Sequence, residues 1–240
     1  MKYFHPILLL CSLALPQAYA EDSTFFVVPK LFFSSRNFDY SVASGGVSGN
    51  IQSLGLGITT TFGRFYTSIE GERTITPTEE DTSNLLNTQK VEFERSDTSI
   101  SLGYALDDAI SVFTGYKFGK STLIATEPSP FVGAKISLEG QGIFVGAGGR
   151  WPVKEWGFMA FSGAYAKMNA TYKDLVVESD DGDASGTSLS LEWQGKLPLK
   201  QLNYNISLIR HDYYYERLDR LNFDISEQIL SFRLGINYQF

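Results

Sequence analysis

The stretch Leu230-Ser231-Phe232-Arg233-Leu234-Gly235-Ile236-Asn237-Tyr238-Gln239-Phe240 alternates apolar and polar residues along its whole length. Side chains of a β-strand project to opposite faces with period two. Leu230, Phe232, Leu234, Ile236, Tyr238 and Phe240 therefore share one face, while Ser231, Arg233, Gly235, Asn237 and Gln239 share the other. The spacing predicts a strand that is greasy on one side and polar on the other.

The same rhythm recurs upstream. Ile51 to Phe62 places Leu54, Leu56, Ile58, Thr60 and Phe62 on one face against Ser53, Gly55, Gly57, Thr59 and Thr61. A tight Gly63-Arg64 turn leads to Phe65–Arg73, whose other face carries Tyr66, Ser68, Glu70 and Glu72. Asp97 to Leu106 and Ile110 to Phe118 repeat the pattern around an Asp107-Asp108 turn, as do Thr187 to Leu197 and Leu202 to Asp212. Phe25 to Ser34 opens the series, and Phe158 to Tyr172 follows a turn at Trp151-Pro152. Leu138 to Gly149 is so rich in glycine that its two faces are not separable by pattern. About ten strands result, a count that single-sequence boundaries leave open to eight or twelve.

The connections alternate short and long. Gly63-Arg64, Asp107-Asp108, Arg150 to Gly157 and Pro198 to Gln201 are short. Ser35 to Asn50, Thr76 to Glu94, Lys120 to Ser137, Lys173 to Gly186 and Tyr215 to Ser226 read as long loops. This is the rhythm of an all-β, up-and-down antiparallel transmembrane barrel with tight turns at one rim and loops at the other. A bilayer admits only helices and closed barrels, and no segment beyond the amino terminus has the apolar length of a spanning helix. The 13 Tyr and 18 Phe suit aromatic girdles at two membrane interfaces.

With its terminal Phe240, the closing segment resembles the last strand of small Gram-negative outer-membrane β-barrel proteins, which are porin-like or of the OmpA/OmpW/OmpX type. The resemblance implies that Tyr238 and Phe240 form a C-terminal signal for the outer-membrane assembly machinery. It also implies outer-membrane lipid and lipopolysaccharide as surroundings, and loops on the cell exterior.

Residues 1–20 read as a cleaved secretory signal peptide. Lys2 supplies the charged start, Ile7 to Leu15 the apolar run, and Ala18-Tyr19-Ala20 the small-residue cleavage site. The barrel then occupies residues 21–240 after Sec-type export. Cys11, the single cysteine, goes with the leader, so no disulfide framework is expected. A net charge of −7 excludes a basic nucleic-acid surface.

The polar faces carry charges of both signs: Glu70, Glu72, Asp97 and Glu192 against Lys30, Lys117, Lys196 and Arg233. In a narrow lumen these charges either pair into a plug or line a narrow pore. Tyr213, Tyr214 and Tyr215 extend the interfacial aromatic belt, and His211 sits at the outer rim beside Asp212.

Two motifs tempt further readings. Asp181, Asp183, Ser185, Gly186 and Glu192 match the ligand spacing of a calcium loop, but a strand pattern stands where a helix is needed. Neither a His-Ser pair two residues apart nor an Asp-His order accompanies His211, so no catalytic site is expected. No cofactor and no metal are expected either. The function read from the chain is a passive envelope protein or narrow channel for small solutes. Its rivals are a surface adhesin or receptor acting through its long extracellular loops, with Thr76 to Glu94 and Lys173 to Gly186 making the contacts to a ligand the sequence does not name, and a rim enzyme around His211.

Overall fold

A computed structural model describes residues 25–240 except 43–44, 82–89, 128–131, 154–155, 175–178, 200, 217 and 219–223. The leader assigned to residues 1–20 lies outside the described residues. Eleven strand segments follow one another: β1 (Phe25–Val42), β2 (Gly45–Phe62), β3 (Phe65–Thr76), β4 (Thr78–Asp81), β5 (Lys90–Ala105), β6 (Ile110–Glu127), β7 (Lys135–Pro152), β8 (Phe158–Lys173), β9 (Asp180–Lys196), β10 (Leu202–Glu216) and β11 (Ile225–Tyr238). Every neighbouring pair is antiparallel, and β1 pairs with both β2 and β11, which closes the sheet. Both β3 and β4 pair with β5 on either side of Pro77, so they are one barrel strand broken where proline lacks a donor. The result is a closed ten-stranded up-and-down barrel.

The tight turns have local causes. Gly63 takes a φ of +57°, as a two-residue hairpin requires. Asp107 Oδ1 accepts the backbone N–H groups of Ala109 and Ile110 at 2.7 and 2.8 Å, which folds the β5–β6 turn. The chain end is pinned beside the start. Gln239 N–H donates to the Gln201 carbonyl and Phe240 N–H to the Val27 carbonyl, each at 3.0 Å. Tyr238 Oη donates to Gln201 Oε1 at 2.6 Å, and its ring meets Phe240 at 4.7 Å. Phe25, the first described residue, and Phe240 therefore share one rim with the short turns, the terminal rim.

The strands are longer than their apolar faces. Ser35 to Asn50 is chiefly the upper part of β1 and β2, and Asp180 to Gly186 belongs to β9, so these expected long loops are largely strand. The cause is an exchange of polarity at mid-height. On β1, Leu31 and Phe33 point outward and Lys30 and Ser34 inward; above them Ser35, Asn37 and Asp39 point outward, while Phe38 and Tyr40 are buried inside. On β2 the outward Leu54, Leu56 and Ile58 give way to Asn50 and Gln52, and the inward Ser53 and Thr59 to Ile51 and Val47. The face assignment never changes; only the chemistry on each face does. Below the switch the barrel is built for hydrocarbon outside and polar contacts inside. Above it, the barrel has a wet exterior and an apolar core like a soluble protein.

Glycine is placed by register. Phe113 stands opposite Gly146, and Phe144 opposite Gly115, across the β6–β7 ladder. A Cβ on Gly146 would lie 2.4 Å from the Phe113 ring, and one on Gly115 2.6 Å from Phe144. The same match joins Tyr66 to Gly103 and Tyr213 to Gly186. The glycine-dense β7, whose faces the pattern could not separate, turns Leu138, Gly140, Gly142, Phe144 and Gly146 inward, so flat aromatic rings can cover the bare backbone.

Candidate functional site

The lumen is the candidate site, and ion pairs fill its middle. Lys30 and Arg36 come from β1, Glu70 and Glu72 from β3, Arg95 and Asp97 from β5, and Glu227 and Arg233 from β11; none is more than 6% exposed. Lys30 Nζ donates to Glu70 Oε1 at 3.0 Å. Arg233 reaches Glu72 at 2.7 Å and Glu70 at 3.6 Å. Arg36 reaches Asp97 at 2.6 Å and Glu72 at 3.8 Å. Arg95 grips both oxygens of Asp97 at 2.8 Å and continues to Glu227 at 2.6 Å. Ser121 Oγ bonds Glu227 as well, and Tyr215 Oη donates to it at 3.2 Å. The Arg233 guanidinium also lies 3.9 Å from the centre of the Phe32 ring. These eight groups form one continuous chain of alternating sign. Pairing of this kind offsets much of the cost of removing the charges from water.

An apolar layer lies directly above. Phe38 and Phe93 stack with ring centres 3.7 Å apart, packed among Tyr40, Val47, Ile51, Val91 and Leu123. In this storey, burial and the neighbouring Asp174 carboxylate push the Tyr172 phenol well up, so its hydroxyl remains a donor to Asp174 at 3.0 Å.

Of the charges singled out from sequence, Lys30, Glu70, Glu72, Asp97 and Arg233 come together in the network, and Lys117 and Glu192 are buried in the lumen beside it without a direct ion pair to it. Lys196 is exposed at the terminal rim and joins no part of the network. Sequence reading missed Arg36, Arg95 and Glu227. They lie where the outward apolar row has ended, and only continuing the period-two count past that break would have found them.

Other expectations change. Only Tyr214 points outward; Tyr213 and Tyr215 are 4% and 3% exposed inside the barrel, so they are not an interfacial belt. His211 is likewise not a rim residue but is buried, stacked on Tyr213 with ring centres 5.8 Å apart. Its sequence neighbour Asp212 faces out and pairs with Arg210 at 2.9 Å. The calcium-loop spacing falls within β9, where alternation sends Asp181, Asp183 and Ser185 outward and Glu192 inward, so the set cannot surround one ion. Among the described residues no cluster of three or more His, Cys, Asp or Glu could hold a metal.

Lys117, Tyr213 and His211 border a cavity of about 50 Å³ together with Ser99, Ser188, Ser190, Phe113 and Phe144. Lys117 Nζ donates to the Tyr213 hydroxyl and stands 4.6 Å from that ring's centre. His211 faces Ser188 across the β9–β10 ladder, yet its Nδ1 has no hydrogen-bond partner.

No protein-family model matches the chain, and no curated protein matches it in sequence. Solved structures do resemble it. The outer-membrane protease OmpT of Escherichia coli superposes with a TM-score of 0.62 at 8% identity, covering 94% of this chain and 99% of that one. The translocator domain of the autotransporter NalP from Neisseria meningitidis gives 0.51 at 12% identity, covering 92% and 90%. At such identities the likeness concerns fold alone. It joins the closed ten-stranded topology in defining the class: an outer-membrane-type β-barrel.

Proposed function

We propose that this chain is a passive, non-catalytic protein of the Gram-negative outer membrane, closed to solutes. Its apolar band would sit in lipid and lipopolysaccharide, with the terminal rim in the periplasm and the distal storey outside the cell. The observation that carries this reading is the continuous ion-pair chain from Lys30 to Glu227 lying beneath the stacked Phe38 and Phe93. A conducting pore needs a wet path with sites weak enough to release a solute. Paired, dehydrated charges under an apolar layer offer the opposite.

The test is recording from the purified barrel in planar bilayers. The reading expects no stepwise conductance from the native chain, with current appearing only when Arg95→Ala and Phe93→Ala are combined. Stepwise current from the native chain would overturn it in favour of the narrow channel.

A second reading, adhesin or receptor, draws support from the polar exterior of the distal storey. Outward Asp39, Glu92, Lys167 and Arg210 sit on a barrel with its own core, which would hold the connecting loops clear of the membrane. Replacing residues 82–89 with a short glycine-serine link should then abolish attachment of cells displaying the protein, while leaving the barrel folded. Unchanged attachment would count against this role.

A further inference from the structure

We propose that the cavity beside Lys117 and His211 is a binding site for a small monocarboxylate, reached from the terminal rim. Four of the buried cations already have carboxylate partners: Lys30, Arg36, Arg95 and Arg233. Lys117 differs. It is 7% exposed, its hydrogen bond goes to the Tyr213 hydroxyl, and among the described residues no carboxylate lies within ion-pair distance of it, Asp97 acting on it only from farther away. A buried ammonium with no carboxylate in direct contact is costly, and an anion entering the cavity lowers that cost.

A second observation points to the same space. His211 is 3% exposed and lines the cavity, and its Nδ1 has no partner. Buried polar atoms are as a rule hydrogen-bonded, so an unsatisfied one favours a guest able to bond it. Ser188 and Ser190 add hydroxyls to the lining, and Phe113, Phe144 and Ala166 add apolar surface among them. The mixed lining suits a carboxylate carried on a short hydrocarbon. The volume of about 50 Å³ limits the guest to a few heavy atoms, of the size of acetate.

The route follows from graded exposure. Ala166, His211 and Tyr213 are buried, while Ala164, Ser162 and Ser190, nearer the terminal rim, are half-buried. The cavity is thus blind toward the distal storey. Its occupation does not depend on whether the barrel conducts, so its failure and that of the closed-barrel reading can be told apart.

The experiment is a titration of the intact barrel in detergent with sodium acetate, following the isotope-labelled imidazole of His211 by magnetic resonance. His211→Gln identifies the signal by its loss. The site predicts a saturable shift with millimolar acetate and none with neutral acetamide. Lys117→Met should abolish it in a barrel that still shows heat-dependent gel mobility. Should that variant fail to fold, Ala164→Leu fills the cavity while keeping Lys117, and should also lose the response. No shift, an equal shift with acetamide, or an unchanged shift in either variant would mean that water alone occupies the space. An equally strong response to chloride would overturn the carboxylate assignment.

Discussion

Arg36 on β1 and Asp97 on β5 meet across the lumen at 2.6 Å, although 61 residues and two intervening barrel strands separate them. This contact ties the first barrel strand to the fourth, and Asp97 also holds Arg95, so one carboxylate serves two guanidinium groups. Removing it leaves Arg36 only the long 3.8 Å contact with Glu72 and Arg95 only Glu227.

Asp97→Ala should therefore destabilise the barrel by about 3–5 kcal/mol, the usual cost of breaking a buried ion pair from one side. Replacing Arg36 together with Asp97 by apolar residues should cost less than the sum of the single changes. Urea titration of detergent-refolded barrels, read by gel mobility of unheated samples, gives both numbers; additive losses would show that the contact contributes no coupling.

Gly103 lies under the Tyr66 ring, where a Cβ would come within 2.0 Å of ring atoms. Gly103→Ala should cost about 1–3 kcal/mol through overpacking. Adding Tyr66→Ala should recover part of that loss, since the clash goes with the ring. A double-mutant cycle checks this, and strict additivity would refute the registered ring-on-glycine contact.

The outer edge of the apolar band makes a depth prediction. Ile143 is 62% exposed on the outward face of β7, and Gln141 follows it on the same face toward the distal rim. Gln141→Arg should cost only about 0–1 kcal/mol near the interface, and Ile143→Arg more than that but less than the about 2–4 kcal/mol of a midplane position. Equal penalties in lipid vesicles would move the boundary of the membrane.

Phe38 and Phe93 cap the ion pairs from above. Phe93→Ala should lower stability by about 3–5 kcal/mol, as deletion of a buried aromatic does. About 0.5–1.5 kcal/mol of that should appear as coupling to Phe38, from ring stacking beyond simple burial. Thermal unfolding of the two single variants and the double variant measures the difference.

Period-two alternation was enough, from the sequence alone, to place the lower barrel. Leu54, Leu56 and Ile58 outside, Ser53 and Thr59 inside, and the closing strand through Tyr238 are legible because each strand residue has only two faces to choose from. The upper storey was hidden for the same reason. Ser35 and Asn37 end the outward apolar row while Phe38 and Tyr40 end the inward polar one, so this stretch looks like loop until the barrel is seen to continue into a wet environment. Alternation names the face but not the neighbour. That Arg36 finds Asp97, that Phe113 lies over Gly146, and that Lys117 and His211 border one cavity are matters of register and closure. Those are fixed only when strands distant in sequence pair around the ring, because contacts across a lumen leave no local periodic trace in the chain.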